Sequence, residues 1–406
     1  MVTKEVHLTE VEVLVVNLQK INKLSDDTLE KIGFTWHTDT DGTKYVSDEL
    51  VQITKEEAEA YYEAGNELYD MYVEAAEHVI ENDLFFDLGI PFNLVDMIKK
   101  SWDNDVHWHI YGRFDLAGGI DGQQIKLIEF NADTPTSLFE TALLQWALLK
   151  ENNMDENKQF NNLYEAISNN FKRLITLDED ISSFDENYDG WKILFSSVEG
   201  DDEEEATTRL LQQMATDAGF NTHFEYLHDV KFDEDGIFDA QDNQYDYWFK
   251  LYPFEDIAHD EPELATTLSN IITNQKAILL NPAYTLLFQS KGMLKILWDL
   301  YPNHPLLLNT SFEPLQDTLH VEKCVFGREG ANTKIIDTNG DILTQTDGEY
   351  DNYKKVYQEY VDFNKDLSGA KYQAGVFFAY ESCALSFRKG GEIMDNMSKF
   401  VGHYIY

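Results

Sequence analysis

GRFDLAGGIDGQQIKLIEFNAD, residues 112–133, reads as two apolar strands around a glycine-rich turn. Four polar side chains, Arg113, Asp115, Glu129 and Asn131, interrupt the apolar pattern. Burying a charge is costly unless something pairs with it. Side chains alternate faces along a strand, so Arg113 and Asp115 share one face of the first strand and Glu129 and Asn131 one face of the second. A turn centred on Gly122 places Asp115 across from Glu129 and Arg113 across from Asn131. Three oxygen donors and one guanidinium then share a patch. Two carboxylates and an amide oxygen suit Mg²⁺, with water or phosphate oxygens completing its shell. An arginine beside it is placed to clamp a phosphoryl group. The plainer alternative is a surface patch with an ion pair between Arg113 and Asp115 or Glu129. Thr134 and Thr136 follow at the strand exit.

Outward from the hairpin, periodicity predicts a long helix over 53–82, with further helix to Trp102. A second helix is predicted from Thr136 through SLFETALLQWALLK, and a polar helical stretch over 156–176. Residues 1–30 read as a short strand or amphipathic lead-in, and the acidic segment 178–190 as a linker. WKILFSS (191–197), the acid-led helix from DDEEEATTRLL, and THFEYL form a β-α-β unit. YDYWFKLYPFED (245–256) adds a strand. Short strands separated by Gly, Asn and Asp turns fill 281–406. The expected division is 1–185 carrying the hairpin, 190–280 as an α/β lobe, and 281–406.

In the last third, Lys323 leads on a strand into Gly327, Arg328, Glu329 and Gly330. A glycine-rich turn exposes N–H groups that can cradle phosphate, and the lysine supplies a point charge. No Gly-Lys-Ser/Thr follows, so this is not a P-loop, and a plain hairpin turn remains open. Lys291 precedes an apolar helix, where a solvated lysine is the ordinary reading. Gln358, in VYQEYVDF, sits on a possible adenine-edge segment or a plain strand. Arg388 sits on a late strand, where a structural ion pair is the alternative. Glu203, Glu204 and Glu205 open a helix, where acids favourably meet the dipole. A carboxylate aimed at an amine is the sharper reading.

The chain of 406 residues is 43% hydrophobic, enough for a large core. Acids outnumber bases 75 to 31, for a net charge of −44. Such a surface repels nucleic acid and anionic lipid. Two cysteines, Cys324 and Cys383, imply no disulfide framework. The amino terminus lacks a basic region followed by a long apolar run, and a cytoplasmic protein is expected. No CxxC, HExxH or GxSxG is present. His107 and His109 lack a nearby third ligand, and Cys324 has no paired histidine.

YGRFD, IEFNADTPTS, SKGMLKILWDLYPNHPLLL, VEKCVFGREGAN and VYQEY, in that order, resemble the synthetase portion of the glutathionylspermidine synthase family and its stand-alone acid–amine ligase relatives, over about 30–406. The resemblance implies an α/β (α+β) ATP-grasp fold of the glutathione synthetase type, with the 190–280 unit as an inserted pre-ATP-grasp substrate lobe. It implies a cytoplasmic ATP-dependent acid–amine ligase working through an acyl phosphate. Asp115, Glu129 and Asn131 match the magnesium ligands, and Arg113 the catalytic arginine at the phosphoryl group. Lys291, Lys323, Gly327, Arg328, Gly330 and Gln358 match the ATP-binding residues. Thr134, Thr136, Glu204 or Glu205, and Arg388 fall where the family binds substrate. The partners implied are a small carboxylate, such as the peptide glutathione, and an amine, such as a polyamine. The family's amidase domain with its Cys–His pair has no counterpart here, so hydrolysis of the conjugate is not expected. Threonine stands for serine in the substrate loop, and KLYPFED departs from the family's Lys-Thr-Trp segment around Leu251. A catalytically silent nucleotide-binding regulator and a polyamine-binding protein are the alternatives.

Overall fold

The computed structural model describes residues 15–38, 41–177 and 179–406. The first fourteen residues of the expected lead-in lie outside these, as does Asp178. The described part of the lead-in holds a strand, Leu18–Lys20, and a short helix, Asp26–Lys31.

The hairpin sits inside the largest sheet. Gly112–Ala117 pairs antiparallel with Lys126–Asn131 on one side and with Lys371–Ala379 on the other. Glu381–Gly390 and Lys399–Val401 extend the sheet, and Asn364–Lys365 also pairs with Lys371–Ala379. Chain segments separated by more than 200 positions are thereby hydrogen-bonded neighbours. The register matches the reading from alternation: Asp115 lies opposite Glu129, and Arg113 opposite Asn131.

The alternate positions explain why this hairpin folds. Phe114 and Phe130 lie on the other face, stacked with 3.8 Å between ring centroids. Tyr72 of the helix Lys55–Glu81 packs edge-on against Phe130. All three are buried. The helix opens with a capping box between Thr54 and Glu57. Glu57 also accepts from the backbone N–H of Asp121, and the Tyr61 hydroxyl donates to the Gly118 carbonyl. Helix and glycine turn therefore fix each other. Gly65 lets the helix press on the sheet, because a Cβ there would lie 2.2 Å from Ser382 Oγ.

A second sheet is fully parallel, in the order Ile278–Leu280, Tyr247–Lys250, Lys192–Ser196, Asn221–Phe224. Helix Asp202–Asp217 crosses between its first two strands in the chain. Its buried strands read as unbroken apolar runs, as two-sided burial requires. A third sheet, antiparallel, runs Thr310–Ser311, Lys355–Glu359, His320–Cys324, Lys334–Ile336, Ile342–Gln345. Asn281 clips the parallel sheet to the hairpin. Its amide nitrogen donates to the carbonyls of Tyr111, Ala132 and Asp133, and its oxygen accepts from Ile110 N–H.

Three local expectations change. The polar stretch 156–176 becomes helical only from Leu163 to Thr176. The second helix is interrupted by a π turn, Glu140–Leu144, before continuing as Gln145–Glu151. Residues 179–190 are not a free linker. Short helices Ile181–Ser183 and Phe184–Asn187 form there, and Phe184 is buried against Tyr188 and Phe220. Aromatic anchoring outweighs the acidic composition.

Candidate functional site

A cavity of about 620 Å³ lies between the hairpin sheet, the antiparallel third sheet and the start of helix Asp202–Asp217. Its floor is the polar face of the hairpin. Arg113 donates from Nε to Asp115 Oδ1 at 2.7 Å and from Nη2 to Oδ2 at 3.0 Å. Its Nη1 donates to the Thr136 carbonyl at 2.7 Å. Asn131 Nδ2 donates to Asp115 Oδ2 at 3.2 Å and approaches Glu129 Oε1 at 3.5 Å. The patch is therefore neither exposed nor unpaired.

Lys291 reaches in from the chain just before helix Met293–Leu300. Its Nζ lies 3.2 Å from Glu129 Oε2 and donates to the Gly327 carbonyl at 2.6 Å. One ammonium thus ties the hairpin to the glycine turn. Lys323 Nζ donates to Gln358 Oε1 at 2.8 Å, and Gln358 donates in turn to the Leu127 carbonyl. Both ends of the Gln358 amide serve the protein, so this side chain orients Lys323. Gly330 has φ +66°, and a Cβ there would lie 2.4 Å from the Met394 carbonyl oxygen. Only glycine fits that crossing.

Arg328 spans three regions. Its Nη1 donates to Thr134 Oγ1 at 3.0 Å, and its Nη2 to Glu255 Oε1 at 2.7 Å. Beneath it, Lys250 and Asp133 form an ion pair at 2.9 Å with no exposed side-chain surface on either partner. Arg388 is held by the carbonyls of Ser398 and Asp395, with its guanidinium 5.6 Å from the centre of the Tyr45 ring. Among the described residues it has no carboxylate partner, so the structural ion pair weighed for it is not formed.

The other end of the cavity is acidic. Burial lifts the Glu203 carboxyl to about 8, with Glu140 adding to the rise and Arg388 opposing it. Burial lifts Glu204 to about 7, with Asp201 adding. Glu140, fully buried by the π turn, accepts from Trp36 Nε1, and its second oxygen has no hydrogen-bond partner among the described residues. At the lysine-lined end, burial lowers Lys323 to about 8 although Glu129 opposes this. Burial alone would raise Glu129, but Lys291, Lys323 and Arg113 together hold it below its ordinary value.

Of the residues expected from sequence, Arg113, Asp115, Glu129, Asn131, Thr134, Thr136, Glu204, Lys291, Lys323, Gly327, Arg328, Gly330, Gln358 and Arg388 all line this cavity. Glu205 does not. It bonds Arg209 at 2.6 Å and accepts from the Tyr226 hydroxyl, on the outer side of its helix. Glu203 takes the inward position instead. Helical spacing carried that signal: Glu203 precedes buried Thr207 by four residues, whereas Glu205 precedes exposed Arg209. Trp36, Thr38 and Tyr45 also line the cavity, and no periodic or motif signal marked them.

The floor offers a donor set of two carboxylates and an amide within reach of one another, which fits a magnesium ion once the Asn131 amide presents its oxygen. In this state Arg113 and Lys291 already compensate both acids, so their proximity alone does not require an ion. His107 and His109 take no part. His109 bonds the Tyr69 hydroxyl and the Ala132 carbonyl, and burial pushes both imidazoles down to about 4.

Residues 16–406 match the family described as glutathionylspermidine synthase preATP-grasp. A putative acid–amine ligase of Haemophilus influenzae is 28% identical, over 93% of this chain and 95% of its own length. The bifunctional glutathionylspermidine synthetase/amidase of Escherichia coli is 24% identical over 76% of this chain, which spans about half of that enzyme (51%). A solved glutathione synthetase-like effector from Globodera pallida has a TM-score of 0.54 at 10% identity, covering 95% of this chain and 98% of that one. At that identity the likeness concerns the fold, which is α/β of the glutathione synthetase type.

Proposed function

The chain belongs to the glutathionylspermidine synthase preATP-grasp family, and from that premise we propose that it is an ATP-dependent ligase joining a small carboxylate to an amine. The observation that carries the reading is the Lys291 bridge, which holds Glu129 of the hairpin and Gly327 of the glycine turn on one ammonium. It brings a carboxylate–amide floor and a lysine-rich phosphate cradle to the same space. No helix among the described residues is long and apolar enough to cross a membrane.

In this reading the triphosphate lies under the Gly327–Gly330 turn, against Lys291 and Lys323. A substrate carboxylate oxygen attacks the γ-phosphorus, ADP leaves, and an acyl phosphate forms. The amine nitrogen then attacks the acyl carbon, and phosphate leaves with the C–O electron pair. Asp115, Glu129 and Asn131 would hold a magnesium ion, which when bound neutralises charge on phosphate oxygens. Arg113 and the two lysines supply fixed positive charge, and such positioning and electrostatics carry most of phosphoryl transfer. Thr134, Thr136 and Arg388 line the carboxylate side. At the acidic end, Glu203 and Glu204 ionise beside a cationic amine, and carboxyls near 8 and 7 are matched to take its proton at neutral pH.

The test is ADP release from ATP and magnesium across panels of acids and amines. Arg113→Ala is expected to lower turnover by roughly 10²–10³ while its circular dichroism stays native. Unchanged turnover would refute the assignment. Stabilisation by ATP with no turnover on any panel would favour the regulator reading.

A further inference from the structure

On the far side of the hairpin lies a second, larger cleft of about 1020 Å³. No residue lines both it and the site above. It opens between helices Lys55–Glu81, Val95–Trp102 and Leu163–Thr176, and the chain entering the parallel sheet. Its volume is at the upper end of the range for small-molecule sites.

Its walls are aromatic, with Trp102, Trp108, Trp191 and Tyr284 prominent. The indole N–H groups of Trp102 and Trp108 are already donated, to Glu77 at 2.6 Å and Asn170 at 2.7 Å. These two rings therefore offer a ligand π surface rather than donors. The charged side chains in the lining are Asp105 and Glu179, both exposed, and among the described residues no lysine or arginine lines the cleft. His107 and Thr176, more than nine-tenths buried, also line it. His107 Nδ1 and Thr176 Oγ1 have no hydrogen-bond partner among the described residues. Buried polar atoms are rarely left so.

We propose that this cleft is a second ligand site, for an organic ammonium ion with an apolar body. Aromatic surface attracts a cation through its quadrupole, and two carboxylates at the rim add to the attraction. An anionic ligand would meet carboxylates and no compensating cation. A neutral apolar ligand would use the walls but leave the rim charges without a counterpart.

The probe is 2-phenylethylammonium, with neutral 2-phenylethanol as its near-isostere, titrated calorimetrically without nucleotide. The ammonium is expected to bind about tenfold tighter than the alcohol, the magnitude of a partly desolvated cation–π contact. Trp191→Leu is expected to weaken it about tenfold. Glu179→Gln, at the exposed rim, is expected to weaken it two- to threefold without risk to the fold. Glu203→Gln, in the other cavity, is expected to leave it unchanged. Equal affinity for the alcohol, no saturable binding, or a loss only in Glu203→Gln would overturn the proposal. No arm uses ATP, and Trp191→Leu set against Glu203→Gln separates binding in this cleft from binding at the acidic end of the other cavity.

Discussion

Glu203→Gln tests the acidic end without knowledge of the substrate. The Glu203 carboxyl stands at about 8 instead of 4.5, chiefly because it is buried, with Glu140, Asp201 and Glu329 repelling its charge and Arg388 attracting it. Between those two values the folded protein holds a proton that the unfolded chain has released. Stability therefore falls as pH rises through this window, by at most about 1.4 kcal/mol per pH unit. The rise from 4.5 to about 8 corresponds to a ceiling of about 5 kcal/mol, approached above pH 8. Glutamine has the same shape and no charge, so the variant escapes this penalty. Urea unfolding of both proteins at pH 5, 6, 7 and 8 should show little difference at pH 5. The variant should then gain progressively, reaching about 2–4 kcal/mol at pH 8. The same variant should lose amine-dependent turnover. A stability difference that does not grow with pH would refute the claim that this carboxyl is held protonated at neutral pH.

Lys250→Met leaves the Asp133 carboxylate buried without its partner, and unfolding in urea should show a loss of about 3–5 kcal/mol. The double variant Lys250→Met/Asp133→Asn should recover much of it, and a double variant as unstable as the single one would contradict the pairing argument. Gly330→Ala forces a Cβ toward the Met394 carbonyl at positive φ. It should cost about 1–3 kcal/mol and reduce the thermal shift produced by ATP and magnesium. A full nucleotide shift would remove the turn from the binding site.

The hairpin was legible because its two faces differ in kind. Phe114 and Phe130 alternate with Arg113, Asp115, Glu129 and Asn131, so period two fixes both the register and the face turned to the cavity. The parallel lobe was legible for a related reason, since its central strands Lys192–Ser196 and Tyr247–Lys250 carry the apolar runs ILF and YWF. Glu204 faces the cavity as expected, but Glu205 was grouped with it and Glu203 left out, because acids at a helix start look alike until the period is followed one turn further, to Thr207 and Arg209. The anchored segment after 178 was missed because charge was weighed and Phe184 and Tyr188 were not. Trp36 and Tyr45 carry no local signal at all. They reach the cavity through tertiary packing around the π turn, whose Trp36–Glu140 hydrogen bond joins residues 104 positions apart.

A chain with a net charge of −44 has nonetheless gathered Arg113, Lys291, Lys323 and Arg328 around one cavity and placed Glu140, Glu203 and Glu204 at or beneath its far side. Each cation except Lys323 is fixed by a carboxylate: Asp115 for Arg113, Glu129 for Lys291 and Glu255 for Arg328. The acids at the far end have no such ion-pair partner, and burial raises each of their carboxyls. Polarity is therefore built into the cavity before any ligand arrives. On the proposed reading, a triphosphate would be held at the basic end and an ammonium at the acidic end. The two would enter in one orientation, with the carboxylate to be activated between them. The same asymmetry gives a reason for the buried Lys250–Asp133 pair beneath Arg328. A fully desolvated ion pair is weak evidence for stability, but here it sets the geometry between the lobe bearing Glu203 and the hairpin bearing Arg113, and hence the distance between the two ends.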